Sequence, residues 1–335
     1  MYFILMFKHI QLYLDRYEKK GTFMSNMVVA PLVTFILLCY KQEKYIREAV
    51  KSVLEQDYKN IEFILSDDDS PDSTFDLLKL EAANYSHLKS VTLNKNPTNL
   101  GLVSHFNKLL SMAKGDIIVV AAGDDISLSH RVSSSVEILK DQTISFVSFN
   151  DEIIDSESKT LSIGERVGFN GLKKFTLDDY ITSISLPFSG ASRAFRKSIY
   201  EFFGDLSPDC PTEDTPYILR CLLQGDGAVS SDIAIKYRVH SSNLSGVNNI
   251  HNIDAAKISN QYLIDIDKKV NIDGLKVEVV KNIKNWVRNN NKRRVLQNSL
   301  TKSKNKFIYF ITCILFEPVF SIREKAFIFK SAIKI

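Results

Sequence analysis

LVTFILLCYKQEKYIREAVKSVLEQDYKNIEFILSDDDSPDST, residues 32–74, holds the reading on which the fold turns. LVTFILLC (32–39) and IEFILS (61–66) are continuous apolar runs rich in branched residues, as expected of strands buried on both faces. Between them Ile46, Ala49, Val50, Val53 and Leu54 recur at i, i+3, i+4, i+7 and i+8, the apolar face of a helix. Strand, helix and strand make a βαβ unit with parallel strands. The second strand stops at Asp67, Asp68 and Asp69, three adjacent carboxylates that repel one another and add nothing to a core.

The alternation continues outward. Residues 72–84 read as a helix, SVTL (90–93) as a strand, LVSHFNKLLSMA (102–113) as a helix and DIIVVAA (116–122) as a strand. LSHRVSSSVEILK (128–140) is helical and TISFVSFN (143–150) extended. This predicts an open, mostly parallel α/β sheet, whose ligands bind beyond the carboxyl ends of the strands. Residues 151–175 look like an excursion of hairpin and loop. FSGASRAF (188–195), a helix near 212–224 and a strand at DIAIKYRVH (232–240) follow. From about 246 Asn, Lys and Ile dominate with helical periodicity. The expected organisation is an N-terminal extension (1–28), an α/β domain (29–246) and a helical C-terminal region (247–335).

The chain has 335 residues, 44% hydrophobic and 24% charged, which excludes disorder as the default. A net charge of +4 is too small to imply nucleic acid. Residues 251–335 carry 17 Lys/Arg against 7 Asp/Glu, so that part is basic and the body acidic. Cys39, Cys210, Cys221 and Cys313 form neither a zinc spacing nor a disulfide framework, so reduced thiols in a cytosolic protein are expected. The first residues lack the basic start and small-residue cleavage site of a signal peptide, so a true start at Met24 or a short amphipathic helix is expected there. No window reaches the roughly 18–20 uninterrupted apolar residues of a membrane span.

Asp124 and Asp125, in VVAAGDDIS, follow another candidate parallel strand. Both acidic pairs therefore belong at one sheet edge. Helix capping, by Asp72 or Ser70 and by Ser127 or Ser129, needs only one residue per helix and leaves the doubled aspartates unexplained. Paired carboxylates at strand ends call for something positive, and Asp oxygens suit Mg²⁺ or Mn²⁺ with a substrate's phosphates. No GxGxxG follows the first strand and no GxxxxGK[ST] occurs, so a dinucleotide dehydrogenase and a P-loop enzyme are poorly supported.

Four blocks in order resemble the family 2 glycosyltransferases, with the nucleotide-sugar-binding GT-A fold, of the surface-polysaccharide or O-antigen type. They are residues 31–74, TNLGLVSHFNKLLSMAKGDIIVVAAGDD (98–125), TEDTPYILRCLLQG (212–225) and YRVHSSNLS (237–245). The resemblance implies an inverting, metal-assisted transferase using Mn²⁺ or Mg²⁺ and a UDP- or dTDP-sugar. Asp68, with Asp67 beside it, would accept the imide N–H of the base. Tyr40, Asn99 and Gly101 would lie at the nucleotide. Asp125 would bind the metal, and Asp124 the ribose or a metal-bound water. Asp214 would be the general base, with Glu213 orienting it or capping its helix. His240 would face the metal or diphosphate, with Arg238 beside it, and Ser189 and Gly190 would line the acceptor side. Without the other blocks, Glu213 and Asp214 read as an acidic first helical turn, and His240 as a structural histidine.

Some positions depart from the family pattern. Ala122 stands where many relatives carry the first Asp of DxDD, and Leu38, Cys39 and Lys41 replace the usual Pro, Thr and Asn. Asp69 replaces a common Gly, which predicts a left-handed turn residue.

Between Val279 and Phe316 lie nine basic residues and no acidic one, ending in the apolar FIYFITCILF (307–316); AFIFKSAIKI closes the chain. This fits a helix lying on an anionic membrane face, the cytoplasmic one, with a glycan or lipid-linked acceptor. The alternative is a helical subdomain packed on the core with a solvated basic face. RNA binding lacks a module. Two other functional readings stand beside the transferase: a non-catalytic nucleotide-sugar-binding scaffold, suggested by Ala122, and a nucleotidyltransferase, which would need a Gly-rich loop that CYKQEKY lacks.

Overall fold

The structure, a computed structural model, describes residues 30–88, 90–241, 243 and 253–333, the side chains of 331–333 excepted. The expectations for residues 1–28 and for the last two residues lie outside the described residues. Leu32–Ile335 forms one compact unit.

β1 (Val33–Cys39), β2 (Ile61–Asp67), β3 (Val91–Lys95) and β4 (Ile117–Ala122) are parallel. They are linked by α1 (Ile46–Leu54), α2 (Thr74–Ala83) and α3 (Leu102–Met112), where the periodicity places them. Beyond come β5 (Ile126–Ser127), α4 (Arg131–Ile138), β6 (Ile144–Ile154), β7 (Thr160–Ile163), β8 (Leu172–Phe175) and α5 (Leu177–Thr182). β9 (Ala194–Arg196), α6 (Ser198–Phe203), α7 (Asp214–Leu222) and β10 (Asp226–Arg238) complete the α/β part. The strand order is β3-β2-β1-β4-β9-β6-β10-β5, with β7 on β6 and β8 on β10. β9 runs antiparallel to both β4 and β6, while β6 and β10 are parallel. The chain leaves β1 toward β2 and β3, then returns to β1's other side as β4. The switch in strand order therefore falls between β1 and β4, where such sheets bind ligands.

Alternation along β1 sorts the core. Val33, Phe35 and Leu37 join Ile46, Val50 and Val53 of α1 on one face. Ile36 and Leu38 join Phe106 and Leu109 of α3 on the other. Each such fully buried side chain is worth about 1.5–3 kcal/mol relative to exposure. The second face also takes in Ile258, Tyr262 and Ile266 of α8 (Ala255–Ile272) and Ile283 and Val287 of α9 (Val277–Lys302). Packing thus runs across the change in sequence style near 246, and the first half of the C-terminal region is a helical layer on the core. α10 (Lys306–Tyr309), a π-helical turn (Phe310–Leu315) and α11 (Ile322–Ile333) close on a small cluster of Leu300, Ile314, Phe320 and Ile328. Among the described residues no helix is long and apolar enough to cross a membrane.

Three local expectations are corrected. β10 begins at Asp226, not 232, because register shifts near Ser230–Ile233 break its alternation and hide its first half. Neither Ser127 nor Ser129 caps α4; the Ser127 hydroxyl is taken by Arg131 Nη1 (2.9 Å), and His130 at the cap position turns its ring to Ile233 O (3.0 Å) instead of to the helix. The short helix α5, opened by a Thr176–Asp179 capping box, was not expected.

Candidate functional site

The register of β1 brings the two acidic turns together. Cys39 lies opposite Asp67 on one side and Leu38 opposite Ala122 on the other. Asp68 N donates to Cys39 O (2.9 Å) and Gly123 N to Leu38 O (3.0 Å). Both pairs therefore flank the carboxyl end of β1. A Cβ on Gly123 would displace the end of the Gln42 side chain and lie 3.0 Å from Cys39 Sγ, so the β4 turn closes tightly on the β1 loop.

The triplet 67–69 divides by task. Asp67 is fully buried and accepts from Ser70 N (2.9 Å) and Ser70 Oγ (2.5 Å), closing its own turn. Ser70 Oγ in turn accepts from Lys41 N (2.9 Å). Asp69 takes the left-handed conformation (φ 58°), as expected for a turn aspartate. Asp72 accepts from Thr74 N (3.1 Å) at the start of α2. Asp68 is buried and holds the next loop, accepting from Asn96 Nδ2 (2.7 Å), Leu100 N (2.9 Å) and Gly101 N (2.9 Å). Asn99 folds that loop by accepting from Gly101 N (3.0 Å). Lys108 Nζ bonds Asn96 Oδ1 (2.6 Å), and His105 faces Ser66 Oγ at 2.6 Å. Burial lowers His105 to about 4, against the opposing pull of Asp68. Tyr40, half exposed at the end of β1, presents its ring at this edge.

The second pair is gathered by β10. β5 pairs antiparallel with β10, Lys236 opposite Ile126, so the end of β10 returns over the Asp124–Asp125 turn. Arg238 N donates to Asp125 Oδ1 (2.9 Å), and His240 Nε2 lies 3.0 Å from Asp124 Oδ2. Burial, then the charge of Asp124, pushes the Asp125 carboxyl well above the usual carboxylate range. The Arg238 guanidinium is buried and runs to protein groups: Asp124 O, Asp155 O, Ser158 Oγ and Glu48 Oε2. It also stacks over the Tyr45 ring, 4.6 Å to the centroid. Arg238 thus braces the acidic turn, its guanidinium held by protein oxygens.

The third carboxylate comes from α7. Asp214 opens that helix, half buried, with Oδ1 accepting from Thr215 N (2.6 Å). A Cβ on Gly190 would collide with Asp214 Oδ2 and lie 2.9 Å from Asp214 Cβ, so the Ser189–Gly190 backbone lies directly against this carboxylate. Glu213 pairs with Arg193 at 2.6 Å, and Arg193 Nη1 reaches Gly190 O (2.8 Å). Glu213 is thus tied through Arg193 to the Gly190 loop. Arg131, fully buried, donates to Val120 O (2.6 Å) at the end of β4 and to Ala191 O (2.9 Å), tying the β4 turn to the loop of Ser189 and Gly190. Burial lowers it to about 9, against the raising field of Asp125.

Sequence reasoning missed Asn96, His105, Arg131 and Arg193. The one local signal was a lone arginine and histidine inside otherwise apolar helix faces. Among the described residues no three His, Cys, Asp or Glu side chains are arranged to hold a metal by themselves. Asp125, with the Asp124–His240 pair, nonetheless fits a cation whose remaining ligands are phosphate and water, the usual Mg²⁺ pattern. A buried carboxylate pair is also the arrangement that a cation relieves.

The chain spans less than half of EpsE of Bacillus subtilis (strain 168), to which a glycosyltransferase role is ascribed: 40% identity over 110 residues, 33% of this chain and 39% of that one. An uncharacterized glycosyltransferase of Haemophilus influenzae is 26% identical over 72% of this chain and 76% of its own. The Escherichia coli UDP-Glc:alpha-D-GlcNAc-diphosphoundecaprenol beta-1,3-glucosyltransferase WfgD is 33% identical over 38% of this chain and 48% of its own. Among solved structures, S. aureus TarS 1–349 with UDP-GlcNAc superposes with a TM-score of 0.59 at 16% identity, covering 90% of this chain and 79% of TarS. The Pyrobaculum calidifontis mannosyltransferase PcManGT with GDP-Man and Mn²⁺ gives 0.52 at 17%, covering 98% and 95%. The fold is therefore GT-A. The family model for glycosyl transferase family 2 matches residues 34–203, from β1 through both acidic turns to α6, and the chain belongs to that family.

Proposed function

We propose that the chain transfers a sugar from a nucleoside diphosphate sugar to a hydroxyl of a glycan or lipid-linked glycan, with inversion. The observation that carries this reading is the convergence of three acidic stations on one sheet edge: Asp68, Asp124–Asp125, and Asp214 behind Gly190. TarS and PcManGT, which share the fold, hold UDP-GlcNAc and GDP-Man in their solved structures.

Asp68 reads a uracil or thymine N–H with its remaining acceptor capacity, while Asp67 keeps the turn rigid. Tyr40 stacks on the base. Asp125, with Asp124 and His240, would hold Mn²⁺ or Mg²⁺, which supplies Lewis-acid charge at the leaving diphosphate. Asp214 takes the acceptor proton as the hydroxyl attacks from the face opposite the leaving group, so no enzyme nucleophile is needed. Arg193 and Glu213 hold the loop and helix start that aim Asp214. The contact of Gly190 with Asp214 supports placing Ser189 and Gly190 on the acceptor side.

The acceptor class rests on the C-terminal region. Phe307, Phe316 and Ile322 stand largely exposed in a stretch of chain that also carries Lys302, Lys304, Lys306 and Arg323. Exposed apolar side chains on a segment rich in cations match an anionic membrane surface. WfgD is named for a diphosphoundecaprenol-linked acceptor, a lipid of the kind such a surface presents.

Transfer or hydrolysis of UDP-sugars by wild type, Asp125→Ala and Asp214→Asn tests the site. Loss in both variants is expected. Equal activity in all three overturns the assignment.

A further inference from the structure

Buried arginines in this chain are matched to oxygen. Arg220 pairs with Asp265 (2.9 Å), Arg193 with Glu213, Arg238 with Glu48 (2.7 Å), and Arg131 donates to main-chain carbonyls. Arg294 breaks the pattern. It is half buried, and among the described residues its guanidinium makes no hydrogen bond or ion pair. It continues the core-facing stripe of α9, after Ile283, Val287 and Asn290, so packing does not turn it outward. Its neighbour Arg293 donates to Ile184 O (3.1 Å) and Asn290 Oδ1 (2.7 Å) and also forms no ion pair. Glu324 is the acid whose field reaches Arg293, and its Oε2 accepts from Ser321.

The pair sits over the acceptor side of Asp214. Ile184 belongs to the loop that carries Phe188, Ser189 and Gly190. Trp286, on the same helix, touches Tyr180 (5.0 Å between centroids) and Tyr262 (5.2 Å). Tyr180 touches Phe188 (6.3 Å), and Gly190 touches Asp214. Tyr262 is fully buried, and its hydroxyl has no hydrogen-bond partner of good geometry. The charges of Asp214 and Arg294 both act on the hydroxyls of Tyr180 and Tyr262, whose ionisation burial already opposes.

We propose that Arg293 and Arg294 form an anion site for a phosphate or diphosphate carried by the acceptor, beside the hydroxyl that Asp214 deprotonates. The unpaired Arg294 fork, beside an Arg293 whose hydrogen bonds go to neutral oxygens, matches phosphate oxygens in geometry and charge. The site deepens the transferase reading above and rests on it. It also gives that reading a direction: the phosphate sits at the arginine pair, the sugar points to Asp214, and the apolar chain runs toward the exposed end of the C-terminal region. From Arg294 to Lys302 that path along α9 is about 12 Å at helical rise.

Trp286 is the only tryptophan of the chain and stands two turns from the pair, so its fluorescence reads the site directly. Farnesyl diphosphate, inorganic diphosphate, farnesol and UDP with Mn²⁺ are titrated into wild type, Arg294→Gln, Arg293→Gln/Arg294→Gln and Arg294→Lys, with unfolding curves as the folding control. Expected are saturable farnesyl diphosphate binding competed by diphosphate but not farnesol, weakening of about tenfold or more in the Gln variants with a smaller loss in Arg294→Lys, and unchanged UDP binding. Equal farnesyl diphosphate affinity in wild type and folded Gln variants, or binding matched by farnesol, overturns the proposal. Loss of UDP affinity in the Gln variants also overturns it, since the pair would then serve the donor. Failure of wild type to bind UDP with Mn²⁺ at all sinks the transferase reading instead.

Discussion

Gly190 and Asp214 are in contact so close that the glycine's missing side chain is what makes room for the carboxylate: a Cβ there would lie 3.1 Å from Asp214 Cγ and overlap Oδ2. The loop before β9 and the start of α7 thus set the position of the proposed base together. Gly190→Ala should push the carboxylate out of line. A displacement near 1 Å at a reacting group costs on the order of 100-fold. The expected result is a fall of that order in kcat with donor KM unchanged, and a stability loss of about 1–3 kcal/mol from overpacking. Steady-state kinetics with varied UDP-sugar, beside urea unfolding, checks both.

Asn96 donates to Asp68 Oδ1, the oxygen that also accepts from Leu100 N, and itself accepts from Lys108, so it helps fix the Asp68 carboxylate. Asn96→Ala should loosen base recognition without touching Asp214. Contacts made equally in ground and transition state appear in KM, not kcat. Donor KM should rise about threefold to tenfold at nearly constant kcat. A matching loss in kcat would instead place this network in the chemistry.

His105 gives the site a pH signature. Its folded value, about 4, lies below the ordinary 6.5, so the folded chain binds this proton more weakly than the unfolded one. Stability from neutral, buried His105 is complete above pH 6.5 and is lost as pH falls toward 4. The stability advantage of wild type over His105→Gln should shrink by about 3 kcal/mol between pH 7 and 4. Chemical denaturation of both proteins across that range measures it, since shared carboxylate effects cancel in the difference.

Some of this architecture was legible in the residues, and the division has a physical basis. The strands and helices through β6 follow from local hydrophobic period, and Asp69 in the left-handed region follows from turn chemistry. The acidic pairs could be placed at one edge because parallel βαβ units send every strand end the same way. Arg131, Arg193 and Arg238 could not be read, because what they do is set by carbonyls and carboxylates far along the chain. Arg238 lies within the YRVHSSNLS block, yet its guanidinium is turned into a brace by Glu48 and Asp155, which no local pattern announces. β10 was half hidden because its bulge breaks the alternation that marks a strand.

Asp125 should trade stability for function. Its carboxyl is held above the ordinary range by burial and by Asp124, so the folded chain binds this proton more tightly than the unfolded one. That sign is opposite to His105: stability is lost as pH rises above the ordinary carboxylate value. Asp125→Asn keeps an acceptor for Arg238 N and removes the charge. It should therefore be more stable than wild type at pH 7, with the difference closing as pH falls toward 4. In the same variant UDP with Mn²⁺ should no longer raise the unfolding midpoint, whereas wild type gains by mass action. Urea unfolding at the two pH values, with and without UDP and Mn²⁺, checks both halves.

The C-terminal surface makes a separable prediction. Phe316 is 78% exposed and Phe307 62%, on the segment that follows Lys302 and Lys304 and outside the small cluster of Leu300, Ile314, Phe320 and Ile328. Phe307→Glu/Phe316→Glu removes buried apolar area in the membrane and adds two charges that an anionic surface repels, while leaving that cluster intact. Each nearby Lys or Arg contributes about 1 kcal/mol to binding such a surface, an attraction that salt screens. Wild type should therefore sediment with phosphatidylglycerol vesicles at low salt, weakly with phosphatidylcholine vesicles, and less at high salt. The double variant should stay in the supernatant yet keep full hydrolysis of the nucleotide sugar. Arg294→Gln should sediment like wild type, because its site faces the acceptor side of Asp214 and not the exposed end of the helix. Equal sedimentation of wild type and the double variant would assign this face to solvent.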